Sequence, residues 1–594
     1  MRGVSVQQRF GFRNERRQLA NSQGLTASGH SFPGKPDPSV SLSPGPFLTP
    51  VADWQRLPRI GHLTSLHAVS RAESGHAYGF LLFGLSLAAK VPLAIWVWLR
   101  DPTRFLQPDS HAYNQLALDL LNTGHLGVGP AQAHTVAALR TPGYPLLLAG
   151  VYALFGASPL AAILLQCLLA SLTVVITYRL GCRVFSRSTG LVAAIALCLD
   201  FASISLSLNL MTETTFALLL GIALLLMVRG VEADRPSGLL FGSGAALACA
   251  TLVRPFSCYS FPPAAAVLFL LLIGPRAGLW VTRFRRAVPG TLAFLLVPAL
   301  LVGGYDCLAV RTSGLPPIGA SGQFNTYFVG AAGVNALTRS VTLAAAQSEI
   351  GLDVRTGDFS EYVRRNPNAG STGLKSLGSS WQHDGLVTMA HHPAASALIA
   401  ARGVFVFFLD PASFDLCRLI GLVDDARGAR LLDLLQLSPA SVPGNLWRRY
   451  RGLLLLSFPG LMLTAASLGG LTIWLVRSRR RWNRARVLCG LVILYLVLVS
   501  STPVARARFR VPAAPVLLVF AAAGWLPLLR RRGSSGDTEL SSKSAHASML
   551  QPLGLDVSGE HRGHNGSGSE QAACVAAQAQ TQGSSCRPPE TQAG

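Results

Sequence analysis

A succession of apolar runs, each near the length that crosses a bilayer, constrains this chain more than any other feature. A hydrocarbon core about 30 Å thick requires roughly 17–25 mostly apolar helical residues. Ten runs lie within or near that length, at 79–99, 158–180, 189–206, 213–229, 237–253, 257–274, 288–308, 452–476, 487–501 and 512–529. Two further stretches, 143–155 and 394–409, are short and read as re-entrant or interfacial helices. If both crossed, they would add a pair. The expected fold is therefore an α-helical polytopic membrane protein with about 10 (10–12) transmembrane helices and a small outer domain. Composition agrees: 13% of the residues are charged, against about 25% in soluble domains.

The formal charge of +23 would suit a nucleic-acid binder. Its distribution excludes that partner, because the arginines gather between apolar runs. With the N-terminus inside, the cytoplasmic groups are Arg179/Arg183/Arg187, Arg229/Arg235, Arg276/Arg283/Arg285/Arg286, Arg477 to Arg486, and Arg530/Arg531/Arg532. This is the bias that orients membrane proteins. Arg506, Arg508 and Arg510 fall on the outer side and break it.

The apolar runs and their borders divide the chain into successive parts. Residues 1–70 are expected to form a disordered cytoplasmic N-terminus, with the first span as an uncleaved anchor. Residues 79–309 are expected to be a transmembrane region whose first outer loop is 100–157. Residues 310–450 are an extracytoplasmic domain, expected to be loosely organised and α-rich or mixed. C-terminal transmembrane helices fill 451–529, and 533–594 are a disordered cytoplasmic tail. The Asn565-Gly566-Ser567 sequon is discounted because it lies in that tail. The ten cysteines show neither zinc spacing nor a disulfide framework.

Asp109 is the first candidate for chemistry, in Pro108-Asp109-Ser110-His111-Ala112-Tyr113 just beyond the first span. Glu213 opens the fourth span at the same expected depth. The alternative for Glu213 is a solvated first-turn residue behind an N-capping Thr212. Asp200 is a competing partner that could equally mark the end of its span. Arg506-Ala507-Arg508-Phe509-Arg510 places three guanidinium groups at alternate positions beside the bilayer. Arginine's planar fork suits phosphate, although attraction to anionic headgroups explains it too. Arg140 and Arg254 add outward cations. Lys90 lies mid-span, where a cation faces a cavity or snorkels. His391-His392 lacks a third ligand at metal spacing. The residues name no cofactor and leave a divalent cation open.

Five motifs in order resemble the glycosyltransferase C superfamily, in its bacterial branch near the dolichyl-phosphate-mannose protein mannosyltransferases and the lipid A aminoarabinose transferases. They are Pro108-Asp109-Ser110 with Tyr113, Arg140-Thr141-Pro142-Gly143-Tyr144-Pro145, Thr212-Glu213-Thr214, Leu252-Val253-Arg254-Pro255, and Arg508-Phe509-Arg510-Val511-Pro512. Gly319 to Asn325, followed by Tyr327 and Gly330, is similar to the start of the family's outer domain. The resemblance covers 79–529. Two departures are Glu at position 213 in place of Asp, and the pattern around Tyr305-Asp306.

The resemblance implies an inverting glycosyltransferase that moves a sugar from a polyprenyl-phosphate donor to an outer acceptor hydroxyl. Asp109 would take the acceptor's proton and Glu213 would orient the acceptor or the base. Arg508, Arg510, Arg254 and Arg140 would hold the donor phosphate. Tyr113, Tyr144 and Asn325 would line the cavity. The expected partners are the lipid-linked donor, a glycan, lipid or protein acceptor, and membrane lipids. The expected location is a bacterial inner membrane with the site on its outer face. A transporter or flippase of a lipid-linked substrate is the alternative, although no internal repeat is visible between the halves. A non-catalytic scaffold is a third.

Overall fold

The computed structural model describes residues 62–125, 135–274, 280–313, 317–367, 374–423, 446–478 and 482–529. The chain divides into two compact units, 1–69 and 70–594. In the first, residues 62–69 are helical. The second holds the membrane helices and the helices of 317–419, which fall in the segment expected to form the outer domain and are called the outer region below. Most of the expected N-terminal arm, the C-terminal tail, Arg276, Arg479, Arg480, Arg481, the three arginines at 530–532 and Asn565 lie outside the described residues.

The described residues are helical apart from turns and two isolated bridges, Thr135 with Asp358 and Asp353 with Asp358. The first stretch holds α1 (His76–Arg100) and α2 (Pro108–Thr123). After them come α3 (Gly143–Phe155), α4 (Pro159–Val184), α5 (Arg187–Cys198), α6 (Phe201–Ser207) and α7 (Glu213–Glu232). Next are α8 (Ser237–Val253), α9 (Phe261–Ile273), α10 (Trp280–Pro298) and α11 (Gly304–Ser313). The outer region contributes α12 (Pro317–Phe324), α13 (Ala332–Thr338), α14 (Leu343–Glu349), α15 (Ser360–Arg365), α16 (Leu374–His391), α17 (Pro393–Leu409) and α18 (Ser413–Leu419). The chain returns through α19 (Leu446–Arg477), α20 (Arg484–Ser500) and α21 (Ala514–Leu529).

This is an integral membrane protein. Among the described residues, six helical segments are long and apolar enough to cross a bilayer, or up to eight if two bent pairs each count as one span. The expected count of about ten rests partly on shorter helices, since α8 and α20 have 17 residues each and α21 is also short. The run at 189–206, read as one span, is divided into α5 and α6, which meet at a bend of 57°. Asp200 sits at the break, where its carboxylate accepts the Ser203 N–H at 2.9 Å and caps α6. The stretch 394–409 is α17, which meets α16 at 102°. Pro393 opens α17, and a proline disfavours helical geometry in the residue before it.

α7 is the central helix. Its apolar window is 78% buried, whereas the other five spans reach 22–50%. It packs against α4, α8 and α20. Close helix approach uses small residues: Gly190 of α5 lies against the Tyr178 carbonyl of α4, with no room there for a Cβ.

The outer region has its own core. Phe324, Phe328, Phe359, Tyr362 and Trp381 are buried together with Leu139 of the first outer loop. The expected loose cap is thus helical around a packed aromatic centre. Leu139 and the bridge from Thr135 tie the segment just before Arg140 to that centre.

Candidate active site

Asp109 is the second residue of α2. That helix starts where the Gln107 N–H bonds the Ser110 hydroxyl at 2.9 Å, and its first turn favours a carboxylate. One oxygen of Asp109 meets Arg140 Nη2 at 2.6 Å and the other meets Arg508 Nη1 at 3.0 Å. The carboxylate side chain remains 32% exposed. Burial opposes its charge, but the two guanidinium groups outweigh that and hold the carboxyl well below the usual carboxylate range.

Arg140 is fixed twice more. Its Nη1 donates to the Tyr113 hydroxyl at 3.1 Å, and its guanidinium lies 4.8 Å over the Tyr113 ring. Tyr113 meets Tyr144 edge-on at 5.2 Å. Tyr144 donates to Gln166 at 2.5 Å, and Gln166 donates to the Asn209 carbonyl at 2.6 Å. A polar and aromatic chain therefore runs from Asp109 to the turn that precedes Glu213.

Glu213 is the first residue of α7, and its side chain is 1% exposed. The solvated reading of this residue is overturned. Arg254 Nη1 lies 2.6 Å from its carboxylate, and burial of a carboxylate requires such a partner. Thr212 makes no side-chain cap; its hydroxyl accepts from Arg254 at 3.3 Å instead. Arg254 sits just beyond the end of α8, where Pro255 stops the helix. The Thr141 hydroxyl donates to the Val253 carbonyl at 3.1 Å. A Cβ on Gly143 would come within 2.7 Å of the Leu252 carbonyl carbon. The Arg140 segment is thereby pressed against the Arg254 segment.

Arg508 joins the two pairs. Besides Asp109, it places Nε 4.0 Å from Glu213. The site so formed has two carboxylates facing three guanidinium groups, with an excess of positive charge. Nε of Arg140 and Nε of Arg508 are buried with no hydrogen-bond acceptor among the described residues. Two aromatic residues not singled out in the sequence complete the arrangement. Phe256 and Phe509 stack at 5.6 Å, and Arg254 lies 4.3 Å over Phe256 and 5.2 Å over Phe509. A phenylalanine within two residues of each arginine was the signal available.

Other singled-out residues lie elsewhere. Arg510 donates to the Phe407 carbonyl at 3.3 Å and the Phe408 carbonyl at 3.0 Å, and it stands 4.0 Å from Asp200. It does not meet Asp109 or Glu213: the turn over 507–509 sends it away from Arg508. Asn325 is exposed in the outer region and bonds the Ser321 carbonyl. Lys90 is buried and donates to Ser86 Oγ at 2.7 Å. Among the described residues no three His, Cys, Asp or Glu side chains are grouped to hold a metal ion. The two site carboxylates already face guanidinium groups, which does not suit a divalent cation.

Residues 139–302 match the family pattern described as dolichyl-phosphate-mannose-protein mannosyltransferase. The chain is thus similar to a glycosyltransferase family over a segment that holds Arg140, Glu213 and Arg254 and excludes Asp109 and Arg508. No curated protein sequence matches. Among solved structures, the Archaeoglobus fulgidus oligosaccharyltransferase in its apo form aligns at 13% identity and TM-score 0.43, over 77% of this chain and 52% of that one. The same organism's oligosaccharyltransferase AglB, in complex with an inhibitory peptide and a dolichol-phosphate, gives 11% and 0.41, over 82% and 53%. ArnT from Cupriavidus metallidurans bound to undecaprenyl phosphate gives 14% and 0.26, over 77% and 78%. The chain spans about half the length of the archaeal enzymes.

Proposed function

We propose that this chain, similar over 139–302 to the dolichyl-phosphate-mannose-protein mannosyltransferases, is an inverting glycosyltransferase. It would move a sugar from a polyprenyl-phosphate carrier to a hydroxyl presented on the outer face of the membrane. The observation that carries this reading is the sharing of Arg508 between Asp109 and Glu213. It places a potential base and potential phosphate ligands at one point.

The charge balance suggests how the site is switched on. With both oxygens paired to arginine, Asp109 is a weak base. An arriving phosphate would compete for the same guanidinium groups, since arginine pairs with phosphate as readily as with carboxylate. Losing an arginine and gaining a nearby anion would both raise the carboxyl's proton affinity. Asp109 would then accept the acceptor's proton while the hydroxyl oxygen attacks the anomeric carbon. The bond to the lipid phosphate breaks, and its electrons leave with the phosphate. Arg508, with Arg140 or Arg254, would stabilise that charge. Glu213 would hold Arg254 in place and keep Arg508 aimed.

The carrier's chain would enter an apolar cavity beside the site. The cavity, of about 240 Å³, includes Phe216, one turn into α7 from Glu213, and Ser257, three residues after Arg254. Its remaining walls come largely from α7, α9 and α20. The test is Asp109→Asn, assayed by transfer from a labelled polyprenyl-phosphate sugar. Loss of a general base lowers the rate by about 10²–10⁴-fold; full activity in the variant would sink the assignment.

A further inference from the structure

Three turns bring the site together, and one short segment of the outer region holds all three. The first turn leads into α2 and Asp109, the second into α7 and Glu213, and the third carries Arg508. Arg418 of α18 is buried. It donates to the Leu106 carbonyl at 3.3 Å, to the Arg104 carbonyl at 3.1 Å and to Asn209 Oδ1 at 2.7 Å. Leu106 lies three residues before Asp109, and Asn209 four before Glu213. The same two turns also meet directly, where the Leu210 N–H bonds the Phe105 carbonyl at 3.0 Å.

Eight residues before Arg418, Asp410 takes hold of the third turn. Its Oδ2 accepts the Ala507 N–H at 2.9 Å, and its Oδ1 accepts the Ala412 N–H at 3.0 Å. Ala507 is the residue before Arg508. The carbonyls of Phe407 and Phe408, at the end of α17, hold Arg510 from the other side of that turn. The turn is thus anchored to residues 407–410 on both sides of Arg508, by the Ala507 backbone before it and the Arg510 side chain after it.

We propose that residues 407–418 act as a clamp that sets the spacing of Asp109, Glu213 and Arg508, with Asp410 and Arg418 as positioning residues. The contacts described for Asp410 and Arg418 involve neither Asp109, Glu213 nor Arg508. The clamp is needed because the converging groups are not self-arranging. Arg508 is attracted to two carboxylates, and nothing in that attraction fixes the turn carrying it. Charge-assisted bonds to backbone groups do. The catalytic meaning of the clamp rests on the transferase reading; its structural meaning does not.

Asp410→Asn separates the two. The amide keeps the size of the carboxylate but leaves one oxygen to accept from two N–H groups. In the purified full chain, hydrogen–deuterium exchange is expected to quicken in peptides covering 505–511. Affinity for undecaprenyl phosphate is expected to fall about tenfold in the wild-type background and not further in an Arg508→Gln background, as groups acting as a unit are non-additive. Unchanged exchange at 505–511, or the same loss of affinity in both backgrounds, overturns the clamp. A wild-type chain that binds no undecaprenyl phosphate, with the exchange difference still present, removes the transferase reading and leaves the clamp standing. Arg418→Lys guards against misfolding of a harsher variant. It should quicken exchange at 104–110 and 207–213 together, and an effect on neither would also overturn the proposal.

Discussion

Asp109 and Glu213 are both acidic residues in the first turn of a helix, yet their surroundings differ. Asp109 is partly open to solvent and holds two arginines, while Glu213 is closed off behind Arg254. The open group is the one that water can reach. Its depressed proton affinity gives a prediction with a definite sign. A carboxyl lowered from its ordinary value of 3.8 in the native protein adds stability at pH values above that ordinary value. The gain disappears as pH falls through the native value. In Arg508→Gln the native value rises toward the ordinary one, so this pH-dependent gain is smaller and is fully lost at a higher pH. The acid limb of kcat/KM, which reports the unliganded enzyme, should move upward too. Profiles that superimpose for the two proteins would remove Arg508 from Asp109's surroundings.

At the scale of elements, the site depends on how helices end. α8 stops at Arg254 because Pro255 follows, and the start of α3 can press against that end because Gly143 has no Cβ to strike the Leu252 carbonyl. Gly143→Val tests that close approach. Overpacking of this kind costs about 1–3 kcal/mol, and here it would push Arg140 away from Asp109. The expected result is a lower melting temperature together with at least a tenfold loss of transfer, whereas Gly150→Val on the same helix, with open space at its Cβ, should be near neutral. Equal effects at the two positions would mean that the contact with α8 has no special role. The element breaks were only partly legible. Pro393 and Asp200 were visible in the sequence, but a proline or an acid within an apolar run is compatible with a bend, a cap or a continuous span. The angles of 57° and 102° come from packing.

At the scale of the molecule, the sidedness of the site can be checked. His111 is exposed on α2, two residues after Asp109. With the native cysteines replaced, His111→Cys is expected to react with a membrane-impermeant maleimide in intact spheroplasts. Arg187→Cys, at the start of α5 just beyond the far end of α4, should react only after lysis. Labelling in the opposite order would place the site on the inner face and remove a lipid-linked donor of the proposed orientation.

The sequence by itself determined that the chain lies in a membrane. Apolar runs of bilayer length leave the backbone few alternatives to helices, and charge between them biases orientation. It also marked Asp109, Glu213, Arg140, Arg254 and Arg508, since acidic and basic groups at apolar borders stand out against their neighbours. Only the tertiary structure decided which charges meet. Arg508 reaches Asp109 across 399 positions, while Arg510, two residues on, turns to backbone carbonyls. No local pattern separates those two arginines, because the choice is made by the turn they share and by Asp410, nearly a hundred residues away.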